Sequence, residues 1–241
     1  MKTLVIVTSA VESRFGIYTA DQRLTMTLDT MRNLRARIPD VKIVVNEVSG
    51  NGISKAREDA LVEHCDIFLD FTTNHEVNWI YNNSAWYNNW DVVKNLTELT
   101  TFPLSLHTLL DAQELDGIDR VFKMSGRYQL NEKFNLDLYR TDAAKDKIVI
   151  GRRCASQFPY EVTLLREQYM ARLLSWPASM QKDMANYYVT ARDYMRARMK
   201  AGGYADIEHC LFYALPPERV LEVDEVGVFG TIAPNGQPIV N

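Results

Sequence analysis

A short basic segment near the middle of the chain carries residue types that bind phosphate. Apolar and polar residues alternate between Arg120 and Leu130, as they do in a strand with one buried face. The polar face of such a strand would hold Lys123, Ser125 and Arg127. Two cations and a hydroxyl aligned in this way suit a diphosphate. The solvated face of an edge strand explains the same pattern, and the spacing leaves both interpretations open.

Two further residues extend this candidate site. A glycine inside a strand indicates a bulge or the close approach of a ligand to the backbone, and Gly126 takes that position. Tyr128 follows in the same segment and is predicted to lie beside the same ligand. The residues from Lys123 to Tyr128 are therefore the first candidates for holding a diphosphate.

Small polar residues follow the first apolar run of the chain. Thr8, Ser9 and Ala10 stand where that run ends, and ligands of parallel α/β sheets bind at the carboxyl ends of strands. Backbone amides and the two hydroxyls could hold a base or a ribose there, while Arg14 or Arg23 could meet a phosphate. Alternatively, these residues only connect the strand to the next helix.

The first seventy residues predict the elements that would position these side chains. Three apolar runs, rich in β-branched residues, alternate with two helical segments. In order, the five elements span residues 4–7, 19–38, 41–45, 53–62 and 66–71. The first helix opens with a capping box formed by Thr19 and Gln22. Strand–helix–strand order implies right-handed parallel crossovers. The fold class is therefore α/β, a mostly parallel central sheet with helices on both faces, as in Rossmann-like nucleotide-binding folds.

The rest of the chain is more helical, and its 241 residues fit one domain. The predicted elements are helical segments at 74–116, 177–200 and 207–214, a further strand at 147–150, and short strands at 220–229 in an irregular tail. The C-terminal half is thus a helical segment joined to the sheet.

Composition narrows the function classes. A formal net charge of −4 disfavours a general nucleic-acid binder but allows a local basic pocket. Three isolated cysteines predict neither a disulfide framework nor a zinc site and fit a reducing, cytoplasmic compartment. Neither GxGxxG nor GxxxxGK[ST] occurs, which argues against most dehydrogenases and P-loop kinases. No apolar run approaches the roughly 20 residues of a transmembrane helix.

An aromatic stretch could bind sugar rings, because aromatic faces stack on them and asparagine amides pair with hydroxyls. It contains Trp79, Tyr81, Trp86, Tyr87 and Trp90, interleaved with Asn82, Asn83, Asn88 and Asn89. Packing of these aromatics against the core is the alternative.

The chain resembles the GT-A-fold nucleotide-sugar glycosyltransferases found in viral and capsular-polysaccharide gene sets. The resemblance rests on short motifs at residues 5–10, 22–24, 35–40, 122–128 and 207–209. It implies a donor, a nucleotide-diphospho-sugar, bound by residues 1–130, and a carbohydrate acceptor bound by residues 131–241. Polysaccharide biosynthesis is the role this resemblance suggests.

One departure from the family concerns the metal. GT-A enzymes usually hold Mn²⁺ or Mg²⁺ on the diphosphate with an Asp-x-Asp motif, and this sequence contains none. Lys123 and Arg127 could neutralise the leaving diphosphate instead. Asp70, at the end of the third predicted strand, could reach a metal, a ribose hydroxyl or a base. A metal cofactor therefore stays open.

The resemblance also indicates a catalytic base. Inverting transfer needs a carboxylate that takes the proton of the acceptor hydroxyl, and related enzymes often supply it at the start of a helix like 207–214. Glu208 is the first candidate and Asp206 the second. Asp206 also suits the helix N-cap, and a purely structural role for both residues is the alternative.

Two other functions are compatible with the same sheet. A nucleotidyltransferase would normally require paired metal-binding carboxylates, and no close acidic pair suits that role. A non-catalytic module that binds a nucleotide or a sugar is the other. Three outcomes would distinguish these functions. Hydrolysis of a sugar donor indicates a glycosyltransferase, release of pyrophosphate a nucleotidyltransferase, and binding without turnover a binding module.

Overall fold

The computed structural model describes residues 1–83, 89–232 and 236–240. Within these ranges the strands are β1 (Thr3–Ser9), β2 (Lys42–Glu47), β3 (Ile67–Asp70), β4 (Arg120–Ser125), β5 (Tyr128–Leu130), β6 (Ile148–Ala155), β7 (Glu167–Pro177), β8 (Val220–Val223), β9 (Val228–Thr231) and β10 (Pro238–Val240). The α-helices are α1 (Ala20–Arg37), α2 (Lys55–Val62), α3 (His75–Asn82), α4 (Trp90–Asp111), α5 (Tyr160–Thr163), α6 (Gln181–Lys200) and α7 (Ile207–Ala214). Short 3₁₀ turns lie at Leu136–Arg140, Ala178–Met180 and Pro217–Arg219.

The central sheet has seven strands in the order β3-β2-β1-β4-β7-β6-β8. Strands β3, β2, β1 and β4 pair in parallel, as the alternation of strands and helices in the sequence predicts. Strand β7 runs antiparallel to both of its neighbours, β4 and β6. The predicted fold class, a mostly parallel α/β sheet, is confirmed.

Helices cover both faces of this sheet, because alternate side chains of each strand point to opposite sides. On one face, Leu4 and Ile6 pack with the buried residues of α4 and α6. On the other, Val5 and Val7 pack with those of α1. The carboxyl ends of the strands stay uncovered by these layers, which is where loops can form a site.

The helix α1 begins as its sequence predicts. The hydroxyl of Thr19 accepts a hydrogen bond from the Gln22 N–H, and the Gln22 side chain accepts one from the Thr19 N–H. This reciprocal capping fixes the start of α1 one residue after Thr19. It also sets the length of the loop that joins β1 to α1.

The single strand predicted between Arg120 and Leu130 is wrong. Strand β4 ends at Ser125, and after a turn the chain enters β5, which belongs to a smaller antiparallel sheet, β10-β9-β5. Arg127 therefore lies in the turn rather than on a strand face. A further antiparallel strand, β7, has no counterpart in the sequence-based prediction.

Gly126 has a different role from the predicted one. A Cβ atom at this position would lie 2.8 Å from the Thr27 hydroxyl oxygen and 3.2 Å from its methyl carbon. The close neighbour of this backbone is therefore helix α1 and not an open space that a ligand could fill. Glycine is required here so that α1 can pack against the end of β4.

Among the described residues, the three cysteines are free and no helix combines the length and the apolar character needed to cross a membrane.

Candidate functional site

A pocket opens at the carboxyl ends of the neighbouring parallel strands β1 and β4. It encloses about 880 Å³ of empty space, counting its open mouth. Nine residues predicted from the sequence line it: Thr8, Ser9, Ala10, Arg23, Lys123, Ser125, Arg127, Tyr128 and Glu208. Segments far apart in sequence thus meet at one edge of the sheet.

Four predicted residues are not among those that line this pocket: Arg14, Asp70, Gly126 and Asp206. The Arg14 guanidinium lies over two rings that do line it, 5.0 Å from the centre of the Phe15 ring and 5.7 Å from that of Tyr81. Asp70 is exposed on the edge strand β3, where it accepts a hydrogen bond from the Thr72 N–H at 2.7 Å. The structure therefore brings Arg14 close to the pocket but not Asp70.

A buried carboxylate holds the two loops beside the pocket. Glu47, at the end of β2, is fully buried and accepts hydrogen bonds from the N–H groups of Val11, at 3.1 Å, and Ser49, at 2.9 Å. Burial raises the pKa of Glu47, and these hydrogen bonds oppose the rise. The bonds fix the loop after β1, which carries Ala10, against the loop after β2.

Arg23 extends from α1 into the pocket and is almost fully buried. Its guanidinium donates hydrogen bonds to the backbone carbonyls of Phe15 and Tyr18, so it also shapes the β1–α1 loop. Burial, followed by the neighbouring positive charge of Arg127, lowers the pKa of Arg23. This arginine has no carboxylate partner within ion-pair distance in the part of the chain that is described.

Arg127 reaches the pocket from the turn after β4 and is partly buried. Its Nε atom is buried, and in residues 1–83, 89–232 and 236–240 nothing accepts a hydrogen bond from it. Those residues also place no carboxylate within ion-pair distance of its guanidinium. Burial lowers the pKa of Arg127. A buried cation without a partner is unfavourable, so an anion entering the pocket would relieve this cost.

Lys123 is paired. Its ammonium group forms an ion pair with Glu98 of α4, and both side chains are about nine-tenths buried. Lys123 precedes Ser125, the last residue of β4, by two residues. Lys123 therefore lies roughly 7 Å further from the carboxyl end of β4 than Ser125 does. Glu98 largely offsets the charge of Lys123, which leaves less of it for a ligand than the sequence suggests.

A second ion pair, between Arg172 and Glu208, lines the pocket. Nη1 of Arg172, on β7, donates to Oε1 of Glu208 at 3.1 Å and to the hydroxyl of Tyr128 at 3.3 Å. Glu208 stands in the first turn of α7 and is 7% exposed. Burial and then the charge of Asp206 raise the pKa of Glu208, while Lys94 and Arg172 lower it.

Asp206 serves the helix rather than the pocket. As predicted it is the N-cap of α7, where it accepts from the His209 N–H at 3.0 Å and contacts His209 Nδ1 at 2.6 Å. It also bonds the Gln157 amide, and His209 Nε2 lies 2.7 Å from the Ser156 hydroxyl. Burial works to raise the pKa of Asp206, but the bonds from His209 hold it below its usual range. The geometry thus favours Glu208 over Asp206 as a base.

Three charged pocket residues were missed from the sequence: Lys94, Glu98 and Arg172. The first two lie on α4 and resemble ordinary surface charges of a helix, and Arg172 lies on a strand that was not predicted. With them, the described residues that line the pocket carry five cations and two carboxylates, a formal charge of +3. Such a pocket attracts an anion.

The aromatic residues of the stretch from Trp79 to Trp90 do not all lie at the same surface. The rings of Tyr81 and Trp90 line the pocket, and the Trp90 side chain is 37% exposed. Trp79 is exposed on another face of α3, beside a groove against α6. Trp86 and Tyr87 lie outside the described residues. Among the aromatic residues of this stretch that the structure describes, only Trp90 is both exposed and next to the candidate site.

The pocket residues do not fit a divalent metal. Its two carboxylates, Glu98 and Glu208, each form an ion pair with a cation. In the part of the chain the structure describes, no three His, Cys, Asp or Glu side chains are grouped so that they could hold a metal ion. A divalent cation would add charge to a pocket that is already positive. The cationic side chains of the pocket can meet an anion without a metal.

No family model matches the chain, and no curated protein matches it by sequence. Solved structures do match. An active-site mutant of LgtC gives a TM-score of 0.55 at 12% identity, covering 92% of this chain and 72% of that one. Core-mannan synthase A of Aspergillus fumigatus, in an Mn/GDP form, gives 0.53 at 7% identity, covering 93% and 73%. Both are nucleotide-diphospho-sugar glycosyltransferases of the GT-A type, and the chain shares their fold. The predicted resemblance is confirmed at this level.

Proposed function

We propose that the chain is a glycosyltransferase that moves a sugar from a nucleotide-diphospho-sugar to a hydroxyl of a carbohydrate acceptor. The observation that carries the proposal is a pair of arginines at the open edge of the sheet: Arg23, which is 5% exposed, and Arg127, which is partly buried with its Nε atom out of contact with solvent. Neither has a carboxylate partner within ion-pair distance among the described residues. A diphosphate between them would supply the missing negative charge.

The donor would lie along the ends of β1 and β4. Thr8 and Ser9 provide hydroxyls, and the loop that begins at Ala10 provides backbone groups, which together suit a ribose or a base. The diphosphate would then face Arg127 and Arg23. As the bond to the sugar breaks, negative charge grows on the leaving diphosphate, and preorganised cations stabilise that charge more than they stabilise the intact donor.

The acceptor would enter from the side of α4 and α7. Trp90 presents an exposed indole at the pocket, and indole faces stack on sugar rings. Glu208 points into the same space and would accept the proton of the attacking hydroxyl, which corresponds to an inverting reaction. We include synthesis of a polysaccharide as the cellular role in this proposal.

The fold neighbours support the donor class. The structure of core-mannan synthase A is an Mn/GDP form. By analogy, we propose that a nucleoside diphosphate is the leaving group in this chain. The metal in that form is not extended to this chain, because the carboxylates of this pocket are already paired with Lys123 and Arg172.

The proposal is tested by incubating the purified protein with UDP-, GDP-, CMP- and dTDP-sugars, with and without saccharide acceptors. We expect one donor class to raise the melting temperature and to release its nucleotide faster when an acceptor is present. Release of pyrophosphate would instead indicate a nucleotidyltransferase. Binding of a nucleotide sugar without turnover, across a broad acceptor panel, would indicate a binding module.

A further inference from the structure

Arg172 occupies a place in the pocket to which the proposed transfer assigns no role. Strand β7 brings it beside the end of β4, since Leu173 pairs with Met124 in the sheet. Its side chain is 18% exposed. Nη1 holds Glu208 and the Tyr128 hydroxyl together, whereas Nε is buried without a hydrogen-bond partner among the described residues.

Glu208 needs a partner of this kind if it is to act as a base. A carboxylate that is 7% exposed is disfavoured relative to the neutral acid, and Asp206, two residues earlier, adds a second negative charge. A protonated Glu208 could not take a proton from a hydroxyl. Two described cations compensate it: the charge of Lys94, on α4, has the larger effect on the pKa of Glu208, and Arg172 has the smaller effect but contacts the carboxylate directly at 3.1 Å.

Several tyrosine, cysteine and carboxyl side chains of the described residues also lie around Glu208. From α6 comes Tyr188, from β6 Cys154, from β5 Tyr128, and from α7 and its cap Cys210 and Asp206. Burial raises the pKa of Tyr188, Cys154 and Cys210, so these three are neutral near pH 7. Charge compensation at Glu208 therefore comes from Arg172 and Lys94.

We propose that Arg172 is a positioning residue that keeps Glu208 ionised and directed into the pocket. The inference rests on the proposed transferase function. In the transfer step, the Glu208 carboxylate takes the proton of the acceptor hydroxyl while that oxygen bonds to the anomeric carbon. The bond from that carbon to the diphosphate oxygen breaks, and its electron pair leaves with the nucleoside diphosphate.

The guanidinium suits this task better than an ammonium group. Its planar nitrogens are fixed, so Nη1 can hold the Glu208 oxygen and the Tyr128 hydroxyl in one orientation. A lysine at position 172 would keep the charge but lose that geometry. Charge and orientation can therefore be separated by comparing Arg172→Gln with Arg172→Lys.

The test measures the titration of Glu208 directly, by carbon NMR of labelled glutamate side chains, with Glu208→Gln used to assign the signal. In Arg172→Gln we expect the titration midpoint to rise by about one pH unit or more, as expected on losing a nearby opposite charge. In Arg172→Lys it should stay close to that of the unmodified protein. Arg152→Gln, an exposed arginine paired with Asp224, is the matched control.

A turnover assay adds the second readout. In Arg172→Gln the acidic limb of the kcat/KM profile should move to higher pH by the same amount, whereas Arg172→Lys should keep the limb and lower kcat. An unchanged titration midpoint of Glu208 in Arg172→Gln overturns the inference. If Arg172→Gln does not fold, a shifted midpoint of Glu208 in Arg172→Lys overturns it as well. A shifted midpoint in a protein that turns over no donor contradicts only the proposed transfer.

Discussion

Arg23 and Arg127 line the same pocket and lie close enough that the charge of Arg127 lowers the pKa of Arg23, after the effect of burial. The described residues give neither of them an ion-pair partner. Like charges held together away from water raise the free energy of the ligand-free protein. This arrangement is one that a bound diphosphate would stabilise.

Replacing Arg127 should weaken nucleotide binding without lowering the stability of the fold. In Arg127→Met we expect nucleotide affinity to fall about 10- to 100-fold, the size of a lost charge-assisted hydrogen bond. The melting temperature of the ligand-free protein should stay the same or rise, because the substitution removes a partly buried cation whose Nε atom has no hydrogen-bond partner among the described residues. Isothermal titration and thermal unfolding measure the two effects, with Arg152→Met as the exposed control. Unchanged affinity in Arg127→Met would remove this arginine from the site.

Lys123 should behave differently, because it is paired with Glu98. Lys123→Met and Glu98→Leu should each destabilise the fold by about 3–5 kcal/mol, since each leaves a buried charge uncompensated. The double variant should be more stable than the sum of the two losses predicts, by about 1–3 kcal/mol. Urea unfolding measures this coupling, and the exposed pair Arg140–Asp137 provides a control with little coupling expected. Strict additivity for Lys123 and Glu98 would contradict the pairing.

The role of Gly126 can be tested through its neighbour. Gly126→Ala should destabilise the protein by about 1–3 kcal/mol, because the added methyl group meets Thr27. In a Thr27→Ala background the same substitution should cost much less. If the glycine were needed for a ligand instead, Gly126→Ala would weaken nucleotide binding and leave the free energy of unfolding unchanged.

Glu208 is expected to act in turnover and not in donor binding. Glu208→Gln should lower kcat by about 100- to 10,000-fold, as loss of a general base does, and leave donor affinity nearly intact. Because burial raises the pKa of Glu208, turnover in the unmodified protein should increase as pH rises through that value and the carboxylate forms. Asp206→Asn, which keeps a residue able to cap α7, should lose far less activity. Full activity in Glu208→Gln would transfer the base role to another residue.

Local sequence signals predicted the N-terminal half of the fold. Two of these signals are the capping box at Thr19 and Gln22 and the apolar runs of the first three strands. Each depends only on residues close in sequence, so each can be recognised without knowing the tertiary structure. The helix from Ile207 to Ala214 was predicted with its observed bounds. Its N-cap, Asp206, is likewise a local signal.

The rest of the site depends on distant pairings. The position of β7 between β4 and β6 is set by pairing with strands that are distant in sequence. No local sequence pattern therefore indicates that Arg172 lines the pocket. Glu98 and Lys94 occur in a helix where charged residues are common. Arg127 was predicted at the site by strand alternation, but it reaches the pocket from the turn after β4. The predicted element was therefore wrong, and the role of Arg127 in binding stays a prediction.

The central claim is that arginine side chains, and not a metal ion, neutralise the donor diphosphate. Its most direct test is titration of UDP and GDP into the protein by calorimetry, in EDTA and in Mn²⁺, alongside Arg127→Met. We predict that one nucleotide binds with the same affinity in EDTA as in Mn²⁺ and that Arg127→Met weakens it in both. Binding that disappears in EDTA and returns with Mn²⁺ would contradict the claim.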